Sequence, residues 1–531
     1  MTVGSADDLR ADTTASDPLN EAVAPRWWWT LSLLLVLGGF VLRAVLLASP
    51  IGRLDSDEAI VGLMGLSIGH LHKPPLFYWG QYYGGTLEPM LVAITTRFSR
   101  TALAVKIVPL SLSVAAGYTI VRAARRMMPR PQAWLAGALL VAWPGTVWLS
   151  TKERGFYWMT LLLVTLALLV TLRLHDARPR WPVRDALLLG ALCGLAWYES
   201  AQSAFVLLPL LAWLLACDRP PLRTVLQILA GGVVGGAPWL LGVAKYGSRV
   251  MQQPGGNASY TGRVHRAFGQ LVPRILGVRP SYYGGWLLAG AGLVVYVALV
   301  AAVVVIAIVG IDRMRRGGAM PWWRRAATPL SLLVLLALTF PFLVAIPPTA
   351  SSTFEPRYAL LLVPTAALLV AWCARRFWIA ALIVIAALAF GTANVHALIN
   401  FEREQPAALD LRPSTLAPLE RALAQEHVTR VYADYWIANP LTFDGKDGIV
   451  ASPLDLPRSS QLQDTVNAAR ALDWVVYRNS DRSRAVPVRL AQLGVHVTRR
   501  DVGVFTIYHL DRYIDPISLG RFWANHFAGR L

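Results

Sequence analysis

Three carboxylates, Asp55, Asp57 and Glu58, fall in the stretch LDSDEAIVGLM directly after an apolar run. A segment dense in Gly, Pro, Tyr and Trp, PPLFYWGQYYGGTLEP, follows them. A carboxylate just outside hydrocarbon can act as a general base and deprotonate a hydroxyl. Two more polar clusters abut apolar runs: Lys152, Glu153 and Arg154 in STKERGFYW, and Glu355, Arg357 and Tyr358 in FEPRY. Glu88 and Glu199 add further acids beside apolar runs. Guanidinium groups grip phosphate bidentately, and cations stabilise the charge on a departing phosphate. Ionisable groups at membrane level are costly to keep, so a collection of them marks a site. Acids and cations at a membrane rim suit transfer from a lipid phosphate, whose tail stays in the bilayer while its head reaches the edge. A water-soluble nucleotide donor suits poorly, because the chain has no glycine-rich phosphate loop.

The elements that must position these residues are membrane helices. The chain has 531 residues, 55% of them hydrophobic, and a mean hydropathy of +0.47. Several runs of about 20 residues are nearly free of charge, the length of a bilayer-crossing helix. The first, RWWWTLSLLLVLGG onward to near Ala48, is too long for a signal-peptide core, and its tryptophans suit the interface. Further spans are expected at 102–123, 132–150, 156–173, 186–199, 201–217, 223–243, 286–311, 327–346, 358–374 and 377–398, about eleven in all. In the 186–217 region the polar stretch WYESAQS divides one apolar run into two. Residues 86–98 are too short to span and read as a helix at the outer surface.

The net charge of +19 comes largely from arginines clustered between apolar runs, among them Arg122, Arg125 and Arg126, then Arg313, Arg315 and Arg316. That pattern marks cytoplasmic loops, not a nucleic-acid surface. With the N-terminus inside, each cluster falls in the cytoplasm. The outer side then receives 49–101, 151–155, a turn near 200, the loop 244–285, 347–357 and everything after about 399. Three domains follow: a disordered cytoplasmic tail at 1–25, a transmembrane domain at 26–399, and an extracytoplasmic domain at 400–531. In the last, VTRVYADYW, LDWVVYRN and GVFTIYHL read as strands and STLAPLERALAQE and PVRLAQLG as helices, a small α/β fold. The aromatic group YADYW at 432–436 reads as sheet core, with glycan binding as the alternative. Cys193, Cys217 and Cys373 are small packing residues at no metal spacing, and the sequon at Asn257 is a chance match.

All the acids and cations at membrane level thus converge on the outer face. Arg43, near the outer end of the first helix, either reaches the same phosphate as Lys152, Arg154 and Arg357 or snorkels to the interface. Gln81, Tyr82 and Tyr83 are candidates for the sugar or acceptor pocket, since rings stack on sugars and amides hydrogen-bond hydroxyls. Glu88, Glu153, Tyr157, Tyr358, Glu199 and His265 are grouped with them, and Tyr282 and Tyr283 with an acceptor cleft. DSDEAIVGLMG also reads as a helix start, where Asp57 would cap and Glu58 would complement the helix dipole.

At these residues the sequence resembles a known group. DSDEAIVGLM followed by PLFYWGQYYGGTLE is similar to the first outer loop of GT-C-fold glycosyltransferases that use polyprenyl-phosphate sugars. The relevant branch is the family 39 and 83 type, related to protein O-mannosyltransferases and aminoarabinose transferases. KERGFY resembles their second outer-loop motif at Arg154 and Tyr157, and EPRYALLLVP their late RYLLP motif at Arg357 and Tyr358. By topology the likeness covers roughly 27–400, and it is sharp only in those three motifs. It implies a GT-C fold and ranks Asp57 above Asp55 as base, although the extra acid Asp55 departs from the pattern. It implies transfer of one hexose or pentose from a polyprenyl-phosphate donor to a hydroxyl of a glycan, lipid or protein, at the outer face of the cytoplasmic membrane. With no second nucleophile in evidence, direct displacement would invert the anomeric centre. No cofactor is required and no metal is inferred. A transporter or flippase would want a midplane site and repeated halves, which the sequence lacks. A glycan polymerase or ligase would draw on a lipid diphosphate donor instead, and a non-catalytic membrane scaffold would leave the work to the C-terminal domain.

Overall fold

The computed structural model describes residues 25–523 apart from 71–72, 252–255, 257, 283, 317–320, 349–355, 405–414, 446–447 and 521. The expected tail at 1–25, Asn257, Tyr283 and Glu355 therefore lie wholly or almost wholly outside the described residues.

Seven described helices are long and apolar enough to cross a membrane. They include α1 (Arg26–Ala48), and two more that frame the site below are Ala102–Ala124 and Tyr157–Asp176. Leu222–Gly235 and Ala237–Met251, bent by 58°, make an eighth if counted as one span. The remaining expected spans are helices too, but shorter: 12 residues at Arg130–Val141, 17 at Val183–Glu199 and 15 at Pro329–Leu343. The 186–217 region is indeed divided, because Ser200 is extended (φ −157°, ψ 128°) and caps a 3-10 turn before the next helix. Helices Val183–Glu199 and Leu222–Gly235 pack backbone to backbone. A Cβ on Gly190, Gly194, Gly231 or Gly235 would collide with main-chain atoms of the facing helix. This is the small-xxx-small spacing by which membrane helices approach closely.

The loop after α1 folds into α2 (Ser56–Gly69) and α3 (Leu87–Phe98). The latter is the helix expected at 86–98. α2 starts at Ser56 because Asp55 caps it. The Asp55 side chain accepts from the Glu58 amide at 3.2 Å, and Glu58 reaches back to the Asp55 amide at 3.1 Å. This reciprocal capping box satisfies two otherwise orphaned donors. The cap thus falls on Asp55, not on Asp57.

The C-terminal unit is a five-stranded mixed sheet in the order β2-β1-β3-β5-β4, with β1 Arg430–Ala433, β2 Val450–Pro453, β3 Asp473–Tyr477, β4 Val497–Val502 and β5 Phe505–Leu510. β2, β1 and β3 are parallel, and β5 and β4 antiparallel. Both faces are covered by helices over separate apolar cores. The expected strand at 428–436 ends early. The chain turns at Asp434, whose buried carboxylate accepts from Arg482 at 2.7 Å and from the Tyr477 amide at 3.2 Å, and helix Tyr435–Asp444 begins. Tyr432 stays in the sheet core, but Tyr435 leaves it.

Candidate active site

The first turn of α2 divides its acids by helical geometry. Neighbouring residues point about 100° apart, so Asp57 and Glu58 cannot share a direction. Asp57 faces a cavity of about 440 Å³, and Glu58 faces the protein interior with no exposure.

Glu58 is the centre of a buried charge network. One oxygen pairs with Lys106 and accepts the Glu153 amide at 3.2 Å. The other accepts from Lys152 at 3.0 Å. Lys152 also lies 3.4 Å from Asp55 Oδ2, and Arg154 donates to Asp55 Oδ1 at 2.8 Å. Asp55, Glu58 and Lys152, expected at the substrate, thus hold the helix start against the loop 151–155. Buried charges persist only when paired and hydrogen-bonded in this way. Arg43 is also turned inward, donating to Ser150 Oγ at 2.8 Å and to the carbonyls of Gly39 and Val141. It ties α1 to the chain before the KER loop and neither lines the cavity nor snorkels.

Three further acids sit behind the cavity wall without lining it. Glu88 accepts the Met159 amide at 2.6 Å, Glu153 the Gly155 amide at 2.8 Å, and Glu199 the Leu87 amide at 3.1 Å. The Glu88 Oε2 and Glu153 Oε2 atoms are buried with no hydrogen-bond partner among the described residues, and each carboxyl feels the other. Burial is the main cause holding both carboxyls above the ordinary range, Glu153 at about 7. Gly155 lies at φ +97° with the Tyr78 ring where a Cβ would stand, so the KER loop turns tightly only with glycine there. His265 is exposed on helix Tyr260–Arg266, away from the cavity, and Tyr282 stacks on Phe401 at 5.0 Å.

The cavity itself brings together Asp57, Gln81, Tyr82, Tyr83, Arg154, Tyr157, Arg357 and Tyr358 from three separate parts of the chain. The Asp57 main-chain carbonyl accepts from Tyr78 at 3.2 Å, which fixes the residue's backbone. Its Oδ2 lies 3.4 Å from Arg154 and 3.7 Å from Arg357. Arg357 is held over the rings of Tyr157 and Tyr358 at 5.6 and 5.4 Å. Sequence reasoning missed lining residues such as Tyr78, Gln202, Arg249 and Arg458, and it missed Tyr435 behind them, whose phenol donates to Asp57 Oδ1 at 2.7 Å. Tyr435 and Arg458 come from the C-terminal domain. The aromatic cluster YADYW was the available signal for Tyr435, and reading it as strand concealed it.

A carboxylate between guanidiniums, walled by tyrosines and open to one side, can accept a proton from a hydroxyl and hold an anion beside it. Among the described residues, no group of three or more His, Cys, Asp or Glu side chains is arranged to hold a metal ion.

No protein-family model matches the chain, and no curated protein matches it by sequence. Among solved structures it is similar to ArnT from Cupriavidus metallidurans, determined bound to undecaprenyl phosphate. The two share 13% identity and a TM-score of 0.54, over 91% of this chain and 98% of that one. It is also similar, at 12% identity and a TM-score of 0.46, to the archaeal oligosaccharyltransferase AglB from Archaeoglobus fulgidus in complex with an inhibitory peptide and a dolichol-phosphate. That match covers 91% of this chain and 74% of the other. With its apolar spans, the helices of the loop after α1 and its terminal sheet domain in this arrangement, the chain is a polytopic membrane protein of the GT-C fold.

Proposed function

We propose that this protein is a glycosyltransferase that moves one sugar from a polyprenyl phosphate to a hydroxyl acceptor at the outer face of the cytoplasmic membrane. The observation that carries this reading is the Asp57 carboxylate facing the cavity with Arg154 and Arg357 beside its Oδ2. The undecaprenyl phosphate bound to a protein of the same fold supports a lipid monophosphate as donor carrier. The clustering of arginines in the loops on the other side supports the orientation.

In the proposed step the acceptor hydroxyl gives its proton to Asp57 while its oxygen bonds to the anomeric carbon. The bond from that carbon to the phosphate oxygen breaks, and the electron pair leaves with the lipid phosphate. Arg154 and Arg357 receive that charge, and attack opposite the leaving group inverts the centre. Gln81, Tyr82 and Tyr83 supply amide and ring surfaces for the sugar. The mechanism invokes no metal.

The test is a proteoliposome assay with radiolabelled undecaprenyl-phosphate hexoses and pentoses and a membrane glycan extract as acceptor. Transfer by wild type that is lost in Asp57→Asn is expected. Absence of transfer from every monophosphate donor, or full activity in Asp57→Asn, overturns the reading.

A further inference from the structure

Asp57 has one oxygen held from the transmembrane domain's arginines and the other held from a different domain. We infer that the C-terminal domain is a working wall of the transfer site, with Tyr435 as a positioning residue for the Asp57 carboxylate and Arg458 as an added anion-binding group. This rests on Asp57 being the base, as proposed above.

The domain docks on the helix that carries Asp57. Ser56 Oγ donates to the Tyr435 carbonyl, and Asn439 Nδ2 donates to Ser56 Oγ at 2.7 Å. Further along α2, Gly62 has no side chain where the Phe443 ring packs, and a Cβ there would overlap that ring. Arg100, after α3, donates to the carbonyls of Thr442 and Phe443 at 2.8 and 2.6 Å. Helix Tyr435–Asp444 is thereby fixed on α2 at both ends, and its first residue is aimed at the first turn of α2.

The two carboxylate oxygens of Asp57 are held differently. Tyr435 makes a short hydrogen bond to Oδ1, whereas Arg154 and Arg357 stand at longer range from Oδ2. A donor phosphate competes for those two guanidiniums. As they turn to it, Oδ2 is released to take the acceptor proton while Tyr435 keeps Oδ1, and so the carboxylate plane, in place. Burial, followed by the neighbouring Asp57 charge, raises the phenol's pKa, so Tyr435 stays a donor through the working pH range. Arg458 lies over the Tyr435 ring at 5.9 Å, packs against Gly80 and lines the cavity, bringing a guanidinium from a chain segment other than those of Arg154 and Arg357.

The experiment uses the full-length protein in nanodiscs, with undecaprenyl phosphate as binding probe and the turnover assay above. Arg458→Ala is expected to weaken binding about 10-fold, with Arg458→Lys between it and wild type, as loss of a charge-assisted contact does. Tyr435→Phe keeps the ring and its packing. It is expected to bind within about twofold of wild type yet lower kcat on the order of 10–100-fold at unchanged donor KM, the cost of a misaimed catalytic group. Wild-type kcat in Tyr435→Phe overturns the positioning role, and wild-type binding in Arg458→Ala overturns the anion-binding role. A wild-type protein that binds no undecaprenyl phosphate overturns the donor reading itself, and the Arg458 role with it.

Discussion

Lys152 and Glu58 form an ion pair with no solvent exposure on either side chain, 3.0 Å from Nζ to Oε2. Lys106 closes the other side of the same carboxylate. Removing one partner from such a pair leaves an uncompensated buried charge, typically at a cost of about 3–5 kcal/mol. Glu58→Gln is therefore expected to lower the melting temperature in detergent strongly, and to reduce activity only in proportion to folded protein. Unchanged melting with a selective loss of kcat would put Glu58 at the substrate instead.

Asp57 is expected to behave in the opposite way. It is partly exposed on the cavity and takes no part in the capping box. Asp57→Asn should fold normally and lose about 10²–10⁴-fold in kcat, the usual contribution of general base catalysis. Asp55→Asn, which weakens the cap and the bond to Arg154, should show up first as lost stability.

Arg357→Lys should leave the fold intact and raise the donor KM about 10-fold. The planar guanidinium is held over Tyr157 and Tyr358, and an ammonium neither stacks equally nor grips a phosphate bidentately. A steady-state titration with the donor at fixed acceptor reads this directly. An unchanged KM would remove Arg357 from the donor site.

Burial of Glu88 and Glu153 makes stability depend on pH. Both carboxyls are raised by burial above their ordinary values, so the folded state binds more protons than the unfolded one. Stability is then fully present below the unfolded value of about 4.5 and declines as pH rises toward the folded value, about 7 for Glu153. Thermal melts between pH 5 and 8 should fall with rising pH in wild type. In Glu153→Gln, which removes one of the two carboxyls, the fall should be shallower. Parallel curves would show that Glu153 takes up no proton on folding.

Topology is open to labelling. Lys73 is exposed in the loop after α2, so Lys73→Cys in a background lacking Cys193, Cys217 and Cys373 gives a surface thiol. A membrane-impermeant maleimide added to intact spheroplasts should label it. Labelling only after lysis would invert the proposed orientation.

Much of the cavity's lining was legible because its charges sit in short motifs against apolar runs. DSDE, KER and EPRY stand out by contrast alone, and burial cost explains why such charges converge. Which acid faces the cavity was less legible, since Asp55, Asp57 and Glu58 differ only in helical phase and in partners contributed from nearly 50 or 100 residues away. Lys106 lies within an apolar run and gave no hint of its carboxylate. Tyr435 was hidden most deeply. Its partner is 378 residues distant, and the turn at Asp434 that frees it from the sheet depends on Arg482, which no local pattern reveals.

The order of synthesis gives the Asp57–Tyr435 contact a further meaning. Asp57 leaves the ribosome early, and Arg154 and Arg357 follow, but Tyr435 and Arg458 arrive only in the last quarter of the chain. A nascent protein thus carries an unfinished cavity wall. The wall is complete only when the terminal domain has folded and seated against Gly62, so Asp57 gains its bond from Tyr435 last of all.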